Sequence, residues 1–85
     1  MNEPKWHRVN RGGIEMLLHD PQRDTLLVKW LRGEYEAWGN VSAVEAANMA
    51  TSPNPGQYLK TVIQPQAQKL PADRAGQLGL VKPRS

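Results

Sequence analysis

A small α+β fold is predicted, an antiparallel meander of about three strands followed by two short helices and an extended tail. Three observations predict it. Apolar residues alternate with polar ones in two runs between residues 14 and 30. Proline- and glycine-bearing segments of turn composition separate those runs. Two well-formed helix starts then follow between residues 42 and 57.

The strands come first. Ile14, Met16 and Leu18 fall on one face of an extended segment. "DPQR" then places Asp20 at the first position of a turn and Pro21 at the second, where a φ near −65° is wanted. Leu26, Val28 and Trp30 alternate again, "RGE" makes the next turn, and "YEAW" returns as a third strand, placed at the sheet's edge. Residues 25–38 carry a competing all-α reading, because Leu27, Leu31, Tyr35 and Trp38 also recur at helical spacing. Gly33 decides for strands: it costs a helix interior about 1 kcal/mol relative to alanine, whereas a tight turn wants it. Ahead of this run, "WHRVN" fits a short strand and "NRGG" a turn.

The helices are better signposted. Ser42 and Glu45 form S-x-x-E, the reciprocal capping box, with Val41 and Ala46 placed for a hydrophobic staple. The helix carries Ala43, Ala46, Ala47 and Ala50, a small-residue surface suited to close approach, and must end before Pro53. Asn54 caps a second helix, with Pro55 at its first position. Tyr58, Leu59, Val62 and Ile63 form its apolar stripe, and Pro65 closes it. Beyond that point periodicity is lost. The chain therefore divides into a basic N-terminal arm (1–13), a compact domain (14–64) and a Pro-rich basic tail (65–85).

Charge is unevenly spread over the 85 residues, whose net value is +3. The arm sets Lys5, Arg8 and Arg11 against Glu3. Residues 14–50 set three cations against six acids, and the remainder sets five cations against Asp73. An acidic middle lies between basic ends, which bears on contacts rather than on fold. There is no cysteine, hence no disulfide or thiolate metal cluster. His19 and Asp20 are two adjacent ligands and too few for a metal site, so no metal and no cofactor is expected. Ser42 is better used as a cap than as a nucleophile, and no glycine motif cradles phosphate, so no enzyme is expected. The polar start lacks an export signal and no apolar run approaches a membrane span, which points to a cytoplasmic protein.

Function is therefore sought in binding. The first expectation is a non-enzymatic protein-binding module, such as a regulator, an inhibitor or a minor subunit, partnered by another protein or by a second copy. Its contact residues are Trp6, Glu34, Tyr35, Glu36 and Trp38, because tryptophan and tyrosine combine large apolar area with a polar handle. Trp30 is assigned to the core, while Trp38 is placed on an exposed edge where truncation would spare the fold. The alternative is a nucleic-acid-binding regulator acting through Arg8, Arg11, Lys60, Lys69, Arg74, Lys82 and Arg84. Its weaknesses are the acidic middle and a tail with no aromatic residue to stack on bases. The two helices could also be imagined reading DNA as a helix-turn-helix, but the two prolines between them and the single cation on the second favour scaffolding.

Overall fold

The structure is a computed structural model that describes residues 6–71. Five antiparallel strands pair in sequence order: β1 (His7–Arg11), β2 (Ile14–Asp20), β3 (Thr25–Trp30), β4 (Tyr35–Gly39) and β5 (Gln68–Leu70). Between β4 and β5 come α1 (Ala43–Thr51) and α2 (Pro55–Tyr58), the latter running on into a π-helical stretch, Leu59–Ile63. The α+β class is as expected, and the three middle strands fall where alternation and turn residues put them.

Two further strands add to the expected three, the first of them overlapping the short strand that "WHRVN" fits. Five-residue β1 lies inside the supposed N-terminal arm and has a single buried residue, Val9, so it carries little pattern. Three-residue β5 lies inside the supposed tail. Its pairing is a backbone event, with Ala37 opposite Leu70 and Gly39 opposite Gln68, and side-chain periodicity cannot announce so short a strand. β4 is consequently an inner strand, not an edge.

Register sorts the side chains onto two faces. Leu17 lies opposite Val28, and Leu26 opposite Trp38. These residues, with Val9 and Ile14, form the main core together with Val41, Ala46, Met49, Leu59 and Ile63. Both helices thus cover one face, the scaffolding role expected of them. On the other face Leu18, Leu27 and Ala37 line up across three strands, with Trp6 and Leu70 packed against them. Central β3 is buried on both sides from Thr25 to Val28, which is why its sequence is continuously apolar and helix-like. Trp30, expected in the core, is only half-buried at the core's margin, and aliphatic side chains fill the centre.

Local chemistry explains the joints. Gly33 takes φ +100° in the β3–β4 turn, a conformation that a side chain would strain. The Ser42–Glu45 capping box is formed in both directions, and the Asn54 side chain accepts from the Gln57 N–H. In the π-helical stretch the Gln64 N–H reaches back five residues to the Leu59 carbonyl at 2.8 Å. Leu59 and Ile63 are buried there while Val62 turns outward, so the expected four-residue stripe narrows to two fully buried residues, with Tyr58 half-buried.

Asp20 corrects another expectation. An acid at the first position of a surface turn is expected to be solvated, yet Asp20 is 2% exposed. Burial alone would push its carboxyl up. The hydrogen bond from Arg23 at 2.8 Å, the Gln22 N–H at 3.0 Å and the Arg23 charge more than offset that, and hold it below the ordinary carboxylate range. A folded-state pKa below the unfolded one stabilises above the unfolded value, and that contribution is lost as pH falls through the folded value. Thermal stability is therefore expected to decline below about pH 4. Asp20→Asn should cost about 1–3 kcal/mol at neutral pH and flatten that acid limb, as followed by melting at a series of pH values.

Candidate functional site

Among the described residues, the sheet face opposite α1 and α2 gathers an aromatic and ionic cluster. Trp6, just ahead of β1, meets Tyr35, the first residue of β4, edge to face with ring centroids 6.0 Å apart and planes at 64°. Tyr35 lies opposite Lys29 in register, and the Lys29 ammonium stands 5.6 Å from its ring centre. Glu15 on β2 forms ion pairs with Lys29 on β3 at 3.5 Å and with Arg8 on β1 at 3.7 Å. Ion pairs near the surface add little to stability. Their effect is to fix charged heads around a half-buried aromatic pair, of which Trp6 packs on the Leu18, Leu27 and Ala37 cluster.

The five expected contact residues are thus only partly brought together. Trp6 and Tyr35 meet. Glu34 lies in the exposed β3–β4 turn, paired with Arg32 at 2.8 Å. Glu36 and Trp38 point to the opposite, helix-covered face, because alternate residues of one strand cannot share a side. Trp38 is 6% exposed and part of the main core, so its assignment to an accessible edge is corrected. Its indole Nε1, that of Trp30, and Glu36 Oε1 are buried without a hydrogen-bond partner among the described residues.

The cations of the alternative reading disperse. Arg8 belongs to the ionic cluster just described. Arg11 is spent on the fold: its guanidinium donates to the Ala50 carbonyl and, at 2.9 Å, to that of Ser52, tying β1 to the end of α1. Lys60 is exposed on the π-helical stretch, and Lys69 stands over the Trp38 ring at 5.6 Å. Arg74, Lys82 and Arg84 lie outside the described residues. The four described cations do not form one patch.

A feature that the candidate residues missed lies on the helical side, between α1 and the first two strands. There an open cleft of about 400 Å³ has a floor of His7, Leu17 and His19 and a wall of Ala43, Ala47 and Ala50. The His19 Nε2–H donates to the Val41 carbonyl at 2.6 Å, pinning one end, and the Arg11 tie pins the other. The alanine surface of α1 was legible in the sequence. Its pairing with an edge strand was not, because β1 was itself faintly written.

These features define a class: a five-stranded antiparallel meander with helices on one face and an aromatic-ionic surface on the other. Among solved structures, a KTSC domain protein from Yersinia pestis has this fold, with a TM-score of 0.66 over 81% of this chain and 100% of that one. The two are 17% identical, a likeness of fold. No protein-family profile and no curated protein matches the chain. No helix among the described residues is long and apolar enough to cross a membrane.

Proposed function

We propose that this chain is a non-enzymatic protein-binding module whose contact surface is the helix-free face of its sheet. The observation that carries the reading is the Trp6–Tyr35 pair, drawn together from distant points in the sequence on the sheet face opposite α1 and α2. Aromatic rings ringed by fixed charges have the composition of interface hot spots, where apolar area binds and charge orients. Dispersal of the described cations weighs against a nucleic-acid reading, which needs a continuous track along a phosphate backbone.

The test is capture from a lysate of the source cell, with and without nuclease, using the wild-type chain, Tyr35→Ala and Tyr35→Phe. A protein retained after nuclease is expected, with Tyr35→Ala reducing its recovery about tenfold or more and Tyr35→Phe sparing it. Circular dichroism should show all three folded. Capture abolished by nuclease would favour the nucleic-acid alternative instead.

A further inference from the structure

We infer that the cleft between α1 and the first two strands binds a small apolar molecule bearing one hydroxyl group, with a phenol as the best match. The inference goes beyond the protein-binding reading and concerns a different surface, on the helix-covered side of the sheet.

The cleft is of ligand size. At about 400 Å³ it falls within the usual span of small-molecule sites, about 300–1,000 Å³. Leu17 lies in its floor, and Ala43, Ala47 and Ala50 supply methyl groups along α1. Among the described residues no carboxylate or ammonium lines it, so its walls suit a flat apolar body. The gap is also preformed. Arg11 ties β1 to the end of α1, and His19 ties β2 to the segment leading into α1. Neither wall has to be ordered when a ligand enters, which spares part of the cost of binding.

Two imidazoles set the polar chemistry. His7 lies opposite Leu17 in register, which puts it on the same sheet face as His19, two residues further along β2. They are diagonal neighbours on adjacent strands, about 7–8 Å apart at the backbone, near enough for one small group to reach both rings. Their roles differ. A carbonyl only accepts, so the 2.6 Å contact with Val41 fixes the His19 proton on Nε2 and leaves Nδ1 of the neutral ring as an acceptor. The His7 ring is exposed and hydrogen-bonds to no other described residue, so its N–H is free to donate. One acceptor and one donor thus stand side by side at the rim of an apolar slot. A hydroxyl satisfies both with a single oxygen, donating to His19 and accepting from His7. A carboxylate would set lone pairs against Nδ1, and an ammonium has no lone pair for His7. A phenolic O–H donates more strongly than an alkyl one, and its ring supplies the flat body.

The test titrates the full chain at neutral pH with p-cresol, toluene and p-toluate, following backbone amide and histidine ring-nitrogen resonances. p-Cresol is expected to saturate with a dissociation constant on the order of 1 mM. Shifts should map to His7, His19 and Ala43–Thr51, and the His19 Nδ1 resonance should move as its lone pair is engaged. Toluene, which lacks the hydroxyl, and p-toluate, which replaces it with a carboxylate, should each bind about tenfold more weakly. His7→Ala, at an exposed position, should weaken p-cresol severalfold and leave toluene unchanged. Ala47→Leu, also exposed, should keep the fold and weaken both about fivefold or more by filling the cleft. Equal affinity for the three probes, or tighter binding of p-toluate, would overturn the inference. So would shifts confined to the Trp6–Tyr35 face, or no saturation by p-cresol at about 10 mM. No protein partner enters these titrations, so they can fail while capture through Tyr35 succeeds, and the reverse.

Discussion

Trp38→Ala should be strongly destabilising, by about 3–5 kcal/mol. The indole is 6% exposed and packs in the main core with Leu26, Val41, Met49, Leu59 and Ile63. Truncating a buried Trp to Ala costs about 3–5 kcal/mol through lost transfer energy and the cavity left behind. Total stability for a domain this small is on the order of 5–10 kcal/mol, so the loss is about a third of it or more. Trp38→Phe separates volume from chemistry. It keeps much of the apolar bulk and removes an indole N–H that is buried without a partner, a donor whose burial costs about 1–3 kcal/mol. Its expected penalty is well below that of alanine. Urea denaturation of the three proteins checks both statements.

Gly56→Ala should also be severe, for a backbone reason. Gly56 opens α2 directly against the β1–β2 turn, and a Cβ there would lie 2.2 Å from the Gly12 carbonyl oxygen. A backbone atom cannot swing aside as a side-chain tip can, so helix and turn must separate. Gly12 offers no relief: it holds φ +60°, and a Cβ on it would meet Pro55 at 2.7 Å. Overpacking of this kind costs about 1–3 kcal/mol and occasionally more. The loss should appear as a lower urea midpoint, together with faster amide exchange in both the turn and the start of α2. Exchange rising in α2 alone would mean that the contact does not couple the two.

These two positions show what sequence can and cannot announce. The Ser42–Glu45 capping box, the Asn54 cap and the Asp20–Pro21 and Gly33 turns are local chemistry, so Ser42, Glu45, Asn54 and Gly33 could be read directly. Trp38 could not. Flanking acids and a closing glycine gave "GEYEAWG" the look of an edge, and only the pairing of Leu70 with Ala37 makes β4 interior. Parity within a strand then divided the expected contact residues, sending Tyr35 to one face and Glu36 and Trp38 to the other. Asp20 shows the same limit: its turn was legible, but its burial depends on how β2 and β3 sit in the sheet. The Gly12–Gly56 contact joins residues far apart in sequence, and no local pattern reports it.

The proposed role places protein contact on the surface built by β1 to β4 opposite the helices. Amide hydrogen exchange of the chain, alone and in complex with the protein it captures, addresses that placement most directly. Protection gained at Arg8, Glu15, Lys29 and Tyr35, with α2 and the π-helical stretch unchanged, is the predicted footprint. Protection confined to the outer surface of α2 and Leu59–Ile63, leaving those four amides as fast as in the free chain, would contradict it.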